Sequence, residues 1–460
     1  MKFYNTLTRH LDEFHEIEKG KVGLYTCGPT VYDYPHIGNY RSYMFEDLVK
    51  RFFIFQGYAV RHVMNITDID DKTIRKANEL NVPLAEVTQK YIDAFHADLR
   101  TLNILPADVY PRATEHIPEM LQLISRLLEK GFAYEKDGSV YFAIDRFKEY
   151  GRLANIDREN LKPGAAADAD EYEKESIQDF ALWKGKKPGE PFWPAPFGEG
   201  RPGWHIECSA MSMKYLGPHF DMHMGGVDNI FPHHENEIAQ SECANGETFV
   251  NYWLHCQHLI VDNKKMSKSL GNFYTLGDLL KRGIDPMAVR YLLISTHYRK
   301  LLNFTLESLE MASQSLGRVK NFMFSLKNVQ AEGKGDPALR SLLEENLQSF
   351  SRNMADDFNV SGALGAMFDL IHEVNPRLNS LNREDAAAIL SHVGKLNSVL
   401  GILEAGDAGP LAAGIEEKIA MREKARQDRD FARADAIRAE LKAQGITLLD
   451  TPAGVKWKKE

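Results

Sequence analysis

The chain is short of cysteine. Four in 460 residues (Cys27, Cys208, Cys243, Cys256) are too few for a disulfide scaffold, and they fit a reducing compartment in which thiols stay free for metal. None belongs to a C-x2-4-C pair, which excludes the usual structural zinc knuckle. No apolar run approaches the roughly 20 residues of a membrane-spanning helix. The opening Met1-Lys-Phe-Tyr-Asn-Thr6 has no signal-peptide core. A cytoplasmic protein that engages no membrane is expected. Positive charge is not in excess either. The formal net charge of −9 excludes a nucleic-acid-binding surface over the whole molecule and leaves room only for local basic patches. No segment repeats. What is present, 43% hydrophobic and 26% charged residues, is ordinary for a globular chain with length for about three domains.

The densest stretch is Tyr25-Thr-Cys-Gly-Pro-Thr-Val-Tyr-Asp-Tyr-Pro-His-Ile-Gly-Asn-Tyr-Arg41. Val22 to Thr26 reads as a strand, and residues 41–56 carry apolar side chains at helical spacing up to Gly57. Strand, turn and helix form the first half of a nucleotide-binding α/β unit, with phosphates at the open helix N-terminus. Within the turn, Gly38 lets a ligand approach the backbone and His36 can donate to a phosphoryl oxygen. Far downstream stands Lys265-Met-Ser-Lys-Ser269.

Between these lies a second strand, 59–66, leading into Thr67-Asp-Ile-Asp-Asp-Lys72; its carboxylates suit either a ligand crevice or a helix start. Residues 135–200 turn acidic, then rich in Pro and Gly, as an insertion would. Phe220 to Gly226 reads as a strand, Phe231 to Gln240 as a helix, and about 253–261 as another strand. From 285 onward the pattern is mostly helical, ending in a hairpin over 446–457. Metal donors are scattered: Cys27, Cys208 and the His233-His-Glu-Asn-Glu237 run. His233 is four residues and His234 three from Glu237, and spacing alone does not choose between them.

His36-Ile-Gly-Asn39 together with Lys265-Met-Ser-Lys-Ser269 resembles the two signatures of class I aminoacyl-tRNA synthetases. The stretches from Tyr25 to Asp71, Phe180 to Lys184, Gly203 to Met211, His223 to Gln240 and Lys265 to Asn272 are similar to cysteinyl-tRNA synthetases in particular. The resemblance implies a Rossmann-like α/β catalytic domain with an insertion, followed by an α-helical bundle and a small C-terminal anticodon-binding domain. Implied boundaries are 1–115 and 201–300 for the catalytic halves, 116–200 for the insertion, 301–400 for the bundle and 401–460 for the tail. It implies ATP-dependent ligation of cysteine to tRNA(Cys) through an adenylate by a monomer, with one zinc ion per chain and Mg2+ accompanying ATP. Zinc would fall to Cys27, Cys208, His233 and Glu237. His36, Asn39, Lys265 and Lys268 would serve the triphosphate, and Gly28, Thr30 and Gly38 would line the ATP side. Gly226 and Asp228 would line the adenosine, and Thr67 and Trp204 the cysteine pocket. Arg426, Phe431, Asp435 and Asp450 would read tRNA. Two positions depart from the family pattern. Asn39 stands for the usual second His, with Arg41 or the lysine loop as candidates to replace its charge, and Phe431 stands where Trp is frequent. A ligase making a small thiol metabolite would share the catalytic half but not the segments after 285, and a non-catalytic zinc-containing RNA-binding protein would have no use for Lys265 to Ser269.

Overall fold

The computed structural model describes residues 1–156, 179–267, 270–403, 413–428, 430–443, 446–451 and 454–459. Four parallel strands run in the spatial order Val250–Cys256, Phe220–Gly226, Lys21–Thr26, Ala59–Met64. Chain order reverses between Lys21–Thr26 and Phe220–Gly226, so a crevice opens outside their carboxyl ends, at the topological switch point. Leu24, Tyr25, Val63, Met222, Met224 and Leu254 are buried, as a parallel sheet covered on both faces requires.

The first helix, Ile37–Phe55, begins a turn earlier than its apolar periodicity suggests, because His36 and Asn39 form a capping box around its start. It ends before Gly57, whose φ of +91° suits glycine. Downstream, Phe231 has an extended backbone, so the expected helix over 231–240 is a turn, Ile230–His234, followed by the helix Glu235–Asn245. The strand expected at 253–261 is two. Val250–Cys256 stays in the parallel sheet, and Gln257 N–H then donates to Tyr298 O at 2.7 Å. Leu259–Val261 joins a small sheet with Lys264–Lys265 and Leu302–Phe304.

The insertion forms an antiparallel sheet, Ala133–Lys136, Ser139–Phe142, Phe180–Gly185 and Gly200–Pro202, around Val140, Phe142, Phe180 and Trp183. Its acidic Ala165 to Glu175 stretch lies outside the described residues. Helices Pro286–Ser295, Leu306–Lys327, Pro337–Ala355, Val360–Val374 and Arg383–Leu400 share one apolar core with the Ile37–Phe55 helix. Buried Arg290 ties them polarly as well, donating to Leu400 O, Leu102 O and Asp47 Oδ2. In the tail, helices Ala413–Gln427 and Phe431–Ala443 meet the hairpin Ile446–Thr451/Gly454–Lys459 around Leu441 and Leu448. Among the described residues no helix is long and apolar enough to cross a membrane.

Candidate active site and metal centre

The turn after the first strand is drawn tight by Gly28. A Cβ there would lie 1.7 Å from Asn65 O, and Gly28 N–H donates to Asn65 Oδ1 at 2.9 Å. This brings the ends of the first two catalytic strands together, and Thr30 bridges Thr67, with Val31 N–H donating to Thr67 O at 3.1 Å. At the far end of the turn, Asn39 N–H donates to His36 Nδ1 at 3.2 Å, while His36 N–H donates to Asn39 Oδ1 at 3.0 Å. An accepting Nδ1 puts the neutral ring's proton on Nε2, which is then a donor. Asn39 uses its carboxamide oxygen in the cap and keeps its NH2 as a donor.

Gly38 faces the lysine segment: a Cβ on it would lie 3.2 Å from Met266 Cε. Ile37 N–H donates to Tyr274 O at 3.0 Å, and Phe273 meets the His36 ring edge-on at 5.3 Å. Two motifs remote in sequence thus form one wall. Lys265 is exposed at the end of its strand, and Asn272 Nδ2–H donates to Lys265 O at 3.2 Å, folding the loop back. Lys268 lies outside the described residues. Arg41 does not replace the charge that Asn39 lacks. Its buried guanidinium donates to the carbonyls of Gln257, Leu293, Thr296, His297 and Lys300, because this stretch of the helix packs against the 293–300 segment.

Cys27 follows the strand Lys21–Thr26, Cys208 lies on the helix Trp204–Leu216, His233 in the turn before the helix Glu235–Asn245, and Glu237 on that helix. Their donor atoms all lie within 4.8 Å of one another. A second set, Cys27, His223, His234 and Glu237, meets the same limit. Hydrogen bonds distinguish the two. His234 is engaged on both nitrogens, with Nε2 3.1 Å from Cys27 Sγ and Nδ1 2.8 Å from His255 Nε2. His255 continues the chain to Thr6 Oγ1 at 2.7 Å. His223 Nε2 is 2.9 Å from Glu237 Oε2. His233 instead turns Nδ1 to His205 Nδ1 at 2.9 Å and Nε2 to Glu237 Oε1, 3.2 Å away, an oxygen that makes no hydrogen bond among the described residues.

Burial pushes the Cys27 and Cys208 thiols up, the Glu237 carboxyl up to about 8, and the His233 imidazole down to about 3. Each shift marks burial holding the group in its neutral form, with no positive charge at hand to favour the thiolates and the carboxylate. Two thiols, an imidazole and a carboxyl converging in this way are the donor set that a tetrahedral divalent cation takes, and such a cation would supply the missing positive charge. The residues present fit one.

Similarity to known proteins extends over the whole chain. The family model described as tRNA synthetases class I (C) catalytic domain matches residues 13–314, and a DALR domain model matches residues 349–404. A protein of Brachyspira hyodysenteriae named cysteine–tRNA ligase is 48% identical over 469 residues, covering 100% of this chain and 99% of that one. One of the same name from Chlamydia pneumoniae is 48% identical over 464 residues, covering 99% and 98%. The chain belongs to the cysteine–tRNA ligase family. Among solved structures, Mycobacterium tuberculosis methionyl-tRNA synthetase in complex with methionyl-adenylate aligns with a TM-score of 0.59 at 16% identity, over 83% of this chain and 90% of that one. An Agrobacterium radiobacter K84 LeuRS in a ternary complex with tRNA gives 0.60 at 13% identity, over 85% of each. These two show the shared class I fold.

The other residues that the family pattern singles out occupy several places. Trp204 stacks on the His233 ring at 4.2 Å, so it stands beside the donor cluster. Buried Thr67 donates from Oγ1 to Glu207 Oε2 at 2.8 Å and accepts from Asn65 Nδ2 at 3.2 Å. Gly226 ends the strand across the switch point, where a Cβ would lie 2.4 Å from Asp228 Oδ1. Arg426, Phe431 and Asp435 are exposed on the tail helices. Asp450 is in the hairpin, and its side chain lies outside the described residues. Sequence reasoning missed Glu207, His205, His255, Asn65 and Thr6. Glu207 and His205 flank residues already singled out and could have been found that way; Thr6 and His255 carry no local signal.

Proposed function

We propose that the protein ligates L-cysteine to tRNA(Cys) at the expense of Mg-ATP, through cysteinyl adenylate, with one zinc ion per chain held by Cys27, Cys208, His233 and Glu237. The observation that carries this reading is that donor set, gathered at the crevice whose wall is His36, Gly38 and Met266. When bound, zinc discriminates thiolate from hydroxyl, a swap that pocket shape alone separates by only about 1–3 kcal/mol.

The chain's own residues do the remaining work. Trp204 and Thr67 bound the cysteine pocket, Thr67 held in place by Glu207 and Asn65. His36 Nε2–H and the Asn39 NH2 donate to phosphate oxygens at the N-terminus of the Ile37–Phe55 helix, whose dipole favours anions. The turn that carries Gly28, Thr30 and Gly38 lines the ATP side, and Gly226 and Asp228 line the adenosine. The cysteine carboxylate attacks the α-phosphorus and pyrophosphate leaves, while Lys265 and Lys268 neutralise the triphosphate, Lys268 by the more direct contact. The terminal ribose hydroxyl of tRNA then attacks the acyl carbon and AMP leaves. Residues 1–115 and 201–300 form the catalytic unit, 116–200 the insertion, 301–400 the bundle, and 401–460 the anticodon reader through Arg426, Phe431, Asp435 and Asp450. The protein works as a monomer in the cytoplasm.

ATP–pyrophosphate exchange with each of the twenty amino acids tests the assignment. Exchange is expected with cysteine alone, from protein carrying about one zinc per chain, and it should vanish in Cys208→Ser. Activation of a different amino acid, or active protein without zinc, would defeat it.

A further inference from the structure

Between Cys27 and His36 the chain shows two aromatic rings to solvent. Tyr32 is 36% exposed and Tyr34 45% exposed, and neither hydroxyl has a hydrogen-bond partner among the described residues. Tyr34 stands edge-on against Tyr91 at 5.2 Å and 86°, which fixes its ring plane. A cation accompanies each ring: Lys72 Nζ lies 5.6 Å from the centre of Tyr32, and Lys90 Nζ lies 5.7 Å from that of Tyr34. Both lysines are exposed, and so is Arg75 on the same helix as Lys72. The lysines put a positive charge beside each ring, with Asp33 between the two tyrosines in sequence and Glu86 on the helix of Lys90.

Its place in the fold is the rim of the crevice. Thr30, two residues before Tyr32, bridges Thr67; Lys72 opens the helix Asp71–Leu80 that follows Thr67; and Thr67 itself bonds Glu207, the neighbour of Cys208. Both sides of the rim are therefore pinned to the strand end that bounds the cysteine pocket. Exposed rings beside ammonium groups are the pairing that single-stranded nucleic acid uses, bases on ring faces and phosphates on cations. Core packing would have buried the rings, and binding of ATP alone would not need two of them outside the turn.

We propose that Tyr32 and Tyr34, with Lys72 and Lys90, form a platform that seats the single-stranded 3′ end of tRNA as it enters the crevice. This inference rests on the tRNA-ligating reading above. Losing both stacking rings should lower transfer to tRNA by about 30-fold or more.

The test compares the full-length protein with Tyr32→Ala/Tyr34→Ala, Tyr32→Phe/Tyr34→Phe and Lys72→Gln/Lys90→Gln. Cysteine-dependent ATP–pyrophosphate exchange, which uses no tRNA, should stay within about twofold of wild type in all three and so reports an intact catalytic fold. Aminoacylation kcat/KM should fall in the Ala and Gln pairs and be retained in the Phe pair, which keeps the rings. Binding of tRNA trimmed of its last three nucleotides should be equal in wild type and the Ala pair. Normal charging by the Ala pair, or equal weakening toward trimmed and intact tRNA, would overturn the platform. A collapse of exchange in the Ala pair would overturn it too, by placing the rings in the catalytic fold. If wild type itself neither activates cysteine nor charges tRNA, the proposed function fails instead.

Discussion

Glu46 and Asp47 are adjacent carboxylates on the same buried helix, at 1% and 2% exposure, and opposite effects are expected from replacing them. Asp47 accepts from Arg51 Nε at 2.8 Å, from Arg290 Nη2 at 2.5 Å and from Leu105 N–H at 2.8 Å. Asp47→Asn leaves two guanidinium groups facing a neutral amide, and breaking a buried pair from one side costs about 3–5 kcal/mol. Glu46 has no hydrogen bond to either carboxyl oxygen among the described residues. Burial pushes its pKa well above the usual range, and the Thr26 hydroxyl is bonded to His62 Nε2 at 3.0 Å. Glu46→Leu removes an unpaired buried carboxyl at similar volume and should stabilise by about 1–3 kcal/mol near pH 5. The sign with pH follows from the raised pKa: folding favours the protonated form. The ionisation part of the Glu46 cost is therefore absent below its unfolded value of about 4.3 and grows by about 1.4 kcal/mol per pH unit above it, until the folded pKa is reached. Urea unfolding of zinc-saturated protein at pH 5 and pH 8 should show the Glu46→Leu gain to be larger at pH 8 and the Asp47→Asn loss to be present at both. Destabilisation by both substitutions, alike at both pH values, would refute the pairing argument.

Three further outcomes are expected. Asn39→Ala should lose about 1 kcal/mol of helix-cap stability together with pyrophosphate exchange, whereas Asn39→Asp should restore the cap acceptor and the melting temperature but not the activity, since it returns no NH2 donor. Lys268→Ala should lower kcat for exchange far more than it raises KM for cysteine, and an unchanged kcat would remove it from the triphosphate. Deleting residues 405–460 should leave exchange largely intact while charging of tRNA drops sharply; full charging by the truncated chain would make the tail structural only.

The sequence carried the four strands of the parallel sheet, most helices and the two motifs, because these follow from periodicity and from residue types with few substitutes. It carried less where a role depends on what lies across space. Asn39 reads in the sequence as a lost charge, yet its oxygen completes a cap with His36, a function of backbone geometry that no side-chain inventory shows. Arg41 looked available for phosphate, and only the fold reveals five carbonyls around it. The Thr67 to Lys72 carboxylates looked equally suited to a crevice or a helix start. Asp70 caps the Asp71–Leu80 helix, while Asp71 pairs with Lys184 and Arg201 on the antiparallel sheet. Spacing could not separate His233 from His234, since either reaches Glu237 from one turn away. The difference lies in their partners, His205 for one and Cys27 with His255 for the other.

The scatter of the metal donors has a physical consequence. Cys27 belongs to the half of the sheet before the insertion, and Cys208, His233 and Glu237 to the half after it. No local segment holds more than two of the four, so the unfolded chain offers a divalent ion no competing site of similar quality. Binding free energy then acts on the native arrangement of both halves together, by the linkage that couples any native-only ligand to stability. A C-x2-C knuckle would have folded its own loop and left the two halves independent. Here the same four side chains that would select the substrate thiol also join strand Lys21–Thr26 to the helices around strand Phe220–Gly226, across the switch point where the crevice opens. Zinc removal by a chelator should therefore lower the unfolding temperature of the sheet as a whole and leave the small core around Leu441 and Leu448 unmoved. If the tail and the sheet lose stability equally, the donors do not hold the two halves in the way their positions imply.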